Sequence, residues 1–347
     1  MQMTRESIFV GAVRSFCVAF AGLLGVFVAI VLGVIIYSML SATNVISATT
    51  ETHIAPDANG KRSLLPLSAP VILRINIDDV IGGRTVTASG VKDILLDSRE
   101  NLLSNDRVKG ILLHFDTPGG TVDAADDIYR LLLAYKQKYH VPIYGYVDGI
   151  CASGGVYIAS ACDKVFSSPT SIIGSVGVVF GPHFNVAETM EKVGVKSITI
   201  SEGKDKDMLS PFRPWIPGED DSFRKITATL YQRFVDVVSA ARPGLDKQKL
   251  VDTYGAQVYL AEEAQELGFI DNGNSSYEET LTALALSCGI QENQSYQVLE
   301  LQKPEKLFEQ LFEGNAGLLS GKITHRVEIG HQMGSDMSGK FLYLYQP

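Results

Sequence analysis

Two short stretches hold the residue types that nucleophilic chemistry needs. One is Ala152-Ser153-Gly154-Gly155, a serine among small residues where an apolar run gives way to a helical pattern. A hydroxyl at such a junction is exposed, and the first amides of the helix favour negative charge beside it. The other is Asp116-Thr117-Pro118-Gly119-Gly120, which ends an apolar run and precedes a second helix. Its glycines permit positive φ and leave N–H groups unobstructed, as donors to a developing oxyanion must be. Each stretch also has a plain structural reading. Pro118-Gly119-Gly120 can be a tight strand-to-helix turn, and Ser153 an N-cap followed by glycines that allow close packing. Singly, those readings suffice. Together they do not, because two strand ends would bring an N–H donor and a hydroxyl to one edge of a sheet, where α/β proteins place their sites.

The elements that must position these residues follow from periodicity. Val71 to Ile77 reads as a strand, and Val108 to Phe115 as a strand covered on both faces. Ser89 to Asn105 has helical spacing, with Val91, Ile94, Leu95 and Leu102 on one side. Val122, Ala125, Ile128, Leu132 and Tyr135 mark an amphipathic helix with Thr121 as N-cap. Pro142 to Val147 reads as a strand, with a short helix after Ser153 as far as Ala161. Lys164 to Phe166, Val176 to Phe180 and Lys196 to Ile200 continue the strands. Helices are predicted near 220–241, 246–254 and 261–267. This is the β-α-β grammar of a parallel sheet with crossover helices. The last 55 or so residues carry a weaker pattern and end in Phe341-Leu342-Tyr343-Leu344-Tyr345, which has strand character.

Composition narrows the partners. The chain has 347 residues, 46% hydrophobic, with a formal net charge of −9 and no basic cluster, which argues against nucleic acid. Ser15 to Thr50 holds no charged residue, and its apolar part is long enough to span a bilayer as a helix. It is too long for a cleavable signal, and Ile46-Ser47-Ala48 is a poor cleavage site. Arg5 and Arg14 precede the span, so the positive-inside rule puts the N-terminus in the cytoplasm and the bulk of the chain on the periplasmic or extracellular side of a bacterial inner membrane. The boundaries expected are a cytoplasmic segment at 1–14, an anchor at 15–40, a tether at 41–68, a catalytic-type domain at 69–290 and an extension at 291–347. Four cysteines (Cys17, Cys151, Cys162, Cys288) form no metal or disulfide pattern. Cys151 reads as a buried small residue. Trp215, the single tryptophan, reads equally as core, groove wall or membrane-facing ring.

In their order, five stretches resemble the signal peptide peptidase A family of serine peptidases. They are Thr117-Pro118-Gly119-Gly120, Ala152-Ser153-Gly154-Gly155, Ile173-Gly174-Ser175-Val176-Gly177-Val178, Lys206-Asp207-Met208-Leu209-Ser210-Pro211-Phe212-Arg213 and Ala264-Gln265-Glu266-Leu267-Gly268-Phe269-Ile270-Asp271. The resemblance spans about Val71 to Asp271, and the ending 341–345 also resembles tails of single-domain members. It implies an α/β ClpP/crotonase-like β-α-β superhelical fold behind an N-terminal transmembrane helix. It implies Ser153 as nucleophile, Lys206 as general base, the amides of Gly119 and Gly154 as oxyanion hole, and Ser175 as the residue that orients the lysine. By local composition alone, Lys206 in Gly203-Lys204-Asp205-Lys206-Asp207 would read as a solvated surface lysine. As a base it must be neutral to accept a proton, which burial in an apolar pocket favours. The resemblance further implies a homo-oligomeric ring on the membrane and cleavage of hydrophobic peptides such as signal-peptide remnants, with no cofactor, nucleotide or metal. Because one chain holds both Ser153 and Lys206, each pair could be built within one protomer. Two other readings stand beside this one: a crotonase-like scaffold or CoA-binding protein without peptidase activity, and a Ser-His-Asp peptidase using His183.

Overall fold

The computed structural model describes residues 8–43, 51–291, 293–302 and 340–345. The chain divides into two compact units. The first is built on α1, Ile8–Thr43, which contains no acidic residue. Its stretch Gly11–Val34 is long and apolar enough to cross a membrane.

The second unit is a sheet with helices on both faces. Its strands are β1 (Glu51–Ala55), β2 (Val71–Asp78), β3 (Val108–Thr117), β4 (Gly119–Thr121), β5 (Ile143–Ala152), β6 (Lys164–Ser167), β7 (Ile172–Gly174), β8 (Val258–Leu260), β9 (Gln297–Gln302) and β10 (Leu342–Leu344). The order in the main sheet is β1-β9-β2-β3-β5-β7-β8, with β6 also on β5 and β10 paired with β4 apart from it. β9, β2, β3, β5, β6 and β7 run parallel, and β8 joins antiparallel. Ile111, Leu112, Leu113 and Phe115 of β3 are all buried, as a strand covered on both faces requires. The helices are α2 (Ala88–Asp97), α3 (Val122–Tyr139), α4 (Gly154–Ala159), α5 (Ala187–Lys192), α6 (Asp221–Ala241), α7 (Lys247–Lys249), α8 (Ala261–Glu266) and α9 (Tyr277–Ser287). One core packs β2, β3 and β5 against the apolar faces of α2, α3, α4 and α6, with Val91, Ile128, Leu132, Tyr157 and Phe234 in it. The smaller core, on the opposite side, sets Ile72, Leu112 and Tyr144 against Leu281 and Leu284 of α9.

Most predicted elements are present, and the departures have local causes. The helix read as Ser89 to Asn105 stops at Asp97, where the Ser98 hydroxyl donates to Leu95 O at 2.6 Å, and Asn101 then turns to a φ of 48°. Leu102 is therefore exposed rather than on the buried face. Pro118 ends β3, but Gly119–Thr121 is itself a strand, because β10 pairs with it. Thr121 is the N-cap residue of α3, with extended backbone and no side-chain capping bond. Val176 to Phe180 is not a strand; it makes one antiparallel bridge, Val179 to Leu342. Lys196 to Ile200 is also not a strand: among the described residues no strand pairs with it, and Ile198 and Ile200 are 88% and 92% exposed. The sheet begins inside the stretch read as a tether, at β1, and extends through β9 into the stretch read as an extension. The weak pattern over 303–339 lies outside the described residues.

Candidate active site

Strand β5 runs straight into α4 with one residue between, and that residue is Ser153. Its φ of 51° and ψ of −111° lie where a residue with a Cβ is strained. A serine held in this way on a sharp strand-to-helix turn is the geometry of a nucleophile elbow, which aims Oγ away from the sheet. The strain is held by packing and by two backbone bonds. Ser153 N–H donates to Gly174 O at 2.8 Å, and Ser153 O accepts from Tyr157 N–H at 3.1 Å. Every residue from Cys151 to Cys162 is buried, with Ser153 at 1% exposure. Burial also pushes the Cys151 thiol well above its ordinary range, so Cys151 is a small core residue and no second nucleophile.

The Pro-Gly-Gly turn arrives beside it. Gly119 has a φ of +101°, and a Cβ there would overlap the carbonyl oxygen of Tyr343 and lie 2.8 Å from Gly154 N. A glycine is required on both counts. The Gly119 N–H donates to Thr117 Oγ1 at 3.1 Å, while Thr117 Oγ1 donates to Asp79 O at 2.5 Å. Gly154 is the first residue of α4, so no intrahelical acceptor exists for its N–H. Ser175 follows β7, whose Gly174 pairs with Ala152, and is itself strained at a φ of 58°. Gly119, Ser153, Gly154 and Ser175 are therefore brought to one edge of the sheet, as two adjacent motif-bearing strand ends imply.

That edge is covered by a peptide strand of the same chain. β10 lies antiparallel on β4, with Tyr343 opposite Gly120. On its other side, Leu342 exchanges both backbone bonds with Val179 at 3.0 Å. Val122 N–H donates to Phe341 O at 3.1 Å, and Tyr345 N–H to Pro118 O at 2.8 Å. The Tyr343 ring is fully buried, 5.1 Å from Tyr157 and 4.4 Å from Phe234, and its hydroxyl donates to Leu230 O at 3.0 Å. Tyr157 is anchored in turn by donating to Asp126 Oδ1 at 2.7 Å, and Arg233 donates to the same oxygen. Phe341 stacks on Phe180 at 4.6 Å. Beside this strand lies a cleft of about 730 Å³ lined in part by Val178, Phe180, His183, Leu209, Trp215 and Tyr231. Trp215 is thus a groove wall.

Lys206 is not among the residues brought together. It is exposed, in an arm between Gly181 and Gly218 that contributes no strand to the sheet. Among the described residues no hydrogen bond or ion pair joins its ammonium to Ser153 or Ser175. Lys204 and His183 are exposed too, and His183 packs on Phe180 at 4.6 Å. Two contributors had no role assigned from sequence. Thr117 fixes the Gly119 amide, and a hydroxyl one residue before the Pro-Gly-Gly turn was the available signal. Arg213 ties Asp207 to Glu219. Its signal was the spacing, six residues from each acid.

Comparison with known proteins bears on the class of protein. Residues 135–290, which include Ser153 and Lys206, match the model of peptidase family S49. A provisionally named protease of Synechocystis sp. is 32% identical over 184 residues, 53% of this chain and 65% of that one. A chain of Enterococcus faecium, provisionally named signal peptide peptidase SppA, is 31% identical over 189 residues, 54% of each chain. The chain thus spans less than two thirds of these relatives' own lengths. A solved structure of a ClpP1 point mutant from Listeria monocytogenes aligns with 60% of this chain and 94% of that one, at 16% identity and a TM-score of 0.40. The assignment to an α/β ClpP/crotonase-like fold rests on the strand order and parallel register described above. Over residues 135–290 the chain is thus similar to peptidase family S49.

Proposed function

We propose that this chain is a membrane-anchored serine endopeptidase with Ser153 as nucleophile and Lys206 as general base. One observation carries the reading: a strained, strand-to-helix serine lies under an antiparallel peptide strand, as a nucleophile lies under its substrate. In the reaction, neutral Lys206 Nζ takes the Ser153 hydroxyl proton as Oγ adds to the scissile carbonyl carbon. The amides of Gly119 and Gly154 receive the oxyanion, which requires the Gly119 N–H to leave Thr117 Oγ1 for it. Collapse expels the amine, which takes the proton back from the ammonium, and leaves an ester on Ser153. Water, deprotonated by Lys206, then adds to that ester, and collapse expels Ser153 Oγ, which takes the proton from the Lys206 ammonium and so restores both groups. Ser175 orients the lysine when the lysine reaches the site.

The groove favours apolar peptides. Its occupant inserts Tyr343 between two aromatic rings and Phe341 against Phe180, and both strand partners use backbone groups only. Such a groove reads extended, hydrophobic segments, and cleaved signal peptides are of that kind. In this reading the segment 341–345 is a displaceable occupant. The α1 helix anchors the chain on the cytoplasmic membrane, with the catalytic unit on the periplasmic or extracellular face. The exposed Ile198, Ile200, Phe212 and Ile216 of the arm support assembly with further copies into a ring.

The test is covalent labelling of the full chain in detergent with a fluorophosphonate, wild type against Ser153→Ala. Labelling of the wild type alone, with loss of peptide hydrolysis in the variant, is expected. Labelling that survives Ser153→Ala would sink the assignment. A wild type that neither labels nor cleaves peptides would favour the scaffold reading.

A further inference from the structure

The segment that carries Lys206 contains no helix or strand from Gly203 to Ser210. Its own backbone supplies three turn bonds: Lys206 N–H to Gly203 O at 3.3 Å, Met208 N–H to Asp205 O at 3.1 Å and Ser210 N–H to Asp207 O at 3.1 Å. Turns of this length leave a side chain at their crest free to swing. From outside the turn, Trp215 Nε1 donates to Ser210 O at 2.9 Å and Ser222 Oγ to Met208 Sδ at 3.5 Å, but the grip beside Lys206 is that of Arg213. Arg213 Nε donates to Asp207 Oδ2 at 2.8 Å, and Nη2 donates to Asp207 O at 2.8 Å and to Asp207 Oδ1 at 3.3 Å. The same Nη2 donates to Glu219 Oε2 at 2.6 Å, and Nη1 to Pro214 O at 3.0 Å. Glu219 is buried and fixed at the foot of the arm, just before α6. The planar fork thus ties both the side chain and the carbonyl of Asp207, the peptide neighbour of Lys206, to a buried carboxylate. A lysine in place of Arg213 could offer a charge but not this fork.

We propose that Arg213 is a positioning residue for the base: it fixes the backbone that carries Lys206 and takes up the negative charge of Asp207. The proposal rests on the reading of Lys206 as general base. Charge matters here as much as place. A bare carboxylate adjoining Lys206 would stabilise its ammonium form, and an ammonium cannot accept the serine proton. Arg213 holds the Asp207 carboxyl below its ordinary range through their hydrogen bonds, and its own pKa is raised, first by Asp207 and then by Glu219. Among the described residues, the charged group that faces Asp207 is Arg213, and those that face Arg213 are Asp207 and Glu219. The other charged groups of the segment, Glu202, Lys204 and Asp205, are exposed, and Asp220 is engaged by Arg224.

The experiment is the pH profile of kcat and KM for a fluorogenic apolar peptide, using the full chain in detergent. Arg213→Ala is expected to lower kcat roughly 10- to 100-fold, the scale of misplacing a catalytic group, with KM little changed. It should also move the acid limb to higher pH, because activity needs the neutral lysine and Asp207 is then unneutralised. Adding Asp207→Asn to Arg213→Ala should return the limb to its wild-type position without restoring kcat, an effect that a merely structural role for Arg213 would not produce. Arg213→Lys should leave the limb in place and still lower kcat. If Arg213→Ala does not fold, Arg213→Lys and Asp207→Asn carry the test: wild-type kcat in the first and an unmoved limb in the second would overturn the proposal. Lys206→Ala separates the two readings. If it is inactive while Arg213→Ala keeps the wild-type kcat and limb, the positioning role is wrong and the base stands. If Lys206→Ala is active, the base assignment itself has failed.

Discussion

The nucleophile and the base proposed for it sit in opposite kinds of environment. Residues 151–162 are buried without exception, and Ser153 is held by a strand, a helix and two backbone bonds to neighbouring elements. Residues 194–206 are exposed without exception, and the arm around them keeps Val193, Ile198, Ile200 and Phe212 in solvent. Strain of the kind found at Ser153 persists only where packing over-determines it, so the proposed nucleophile is preorganised by the fold of one chain. The segment of the proposed base is held by polar contacts of its own, with Arg213 as the main one. The difference teaches that the core builds one half of the site and leaves the other half to be laid on afterwards. In the proposed ring, what covers the exposed apolar residues of the arm is a further copy of the chain.

The largest effect should come from the base. Lys206→Ala is expected to reduce turnover by several orders of magnitude, as loss of a member of a catalytic unit does, while Lys204→Ala and His183→Ala keep most activity. Hydrolysis of one fluorogenic peptide by each folded variant decides it. Loss in His183→Ala alone would transfer the role. Mixing inactive Ser153→Ala and Lys206→Ala chains before assembly sharpens the comparison. Recovery of part of the activity is expected, because the Lys206 of a single chain is exposed and makes no bond to its own Ser153. A mixture as dead as its parents would place the pair within one protomer.

On the buried side, Gly119→Ala puts a methyl group onto the Tyr343 carbonyl and against Gly154 N, at a backbone angle that alanine resists. A loss of about 10²- to 10³-fold in kcat is expected, the range for removing one oxyanion donor. Near-normal kcat would show that the Gly119 amide stays with Thr117 throughout. Tyr343→Ala should act in the other direction on Ser153. It removes the ring wedged between Tyr157 and Phe234, so β10 should leave the groove more often. Fluorophosphonate labelling should then speed up about tenfold, the factor that 1.4 kcal/mol of lost docking gives. An unchanged labelling rate would mean that the strand does not guard the serine.

The same contrast decides what was legible. The nucleophile side is local: Ala152-Ser153-Gly154-Gly155 and Pro118-Gly119-Gly120 each make their own turn, and the apolar run 108–115 makes its own strand. The arm misled because Lys196 to Ile200 alternates like a strand, and alternation says nothing of whether a partner strand exists. The strand character of 341–345 was readable, but its place was not. Its partners Gly119–Thr121 and Val179 are more than 160 residues away, and nothing in a pentapeptide names them. The same holds for β1 and β9, which join the sheet from the stretches read as a tether and as an extension. Arg213 lies within a motif that resembles the family's and yet had no role, since a guanidinium declares its function only through the carboxylates it reaches.

The smallest effect on stability should come from the arm, and it is the most informative. In the core, Ile111→Ala removes a fully buried side chain from the middle of β3 and should cost about 2–5 kcal/mol in the unfolding free energy of the catalytic unit. Ile198→Ser together with Ile200→Ser changes two side chains that touch almost nothing within the chain, so the same measurement should move by no more than about 0.5 kcal/mol. If a second copy covers them, the cost must emerge elsewhere, as a lower assembled mass at a given concentration. Removing exposed apolar surface from an uncovered arm would instead leave mass and activity alone and improve solubility. Light scattering on the full chain in detergent, read beside peptide hydrolysis, distinguishes these. The expected result is an unfolding curve like the wild type's, a smaller mass and weaker turnover that recovers as protein concentration rises. A double variant that keeps both wild-type mass and wild-type turnover would show that the arm is not the assembly surface, and would leave Lys206 to reach Ser153 by movement of its own chain.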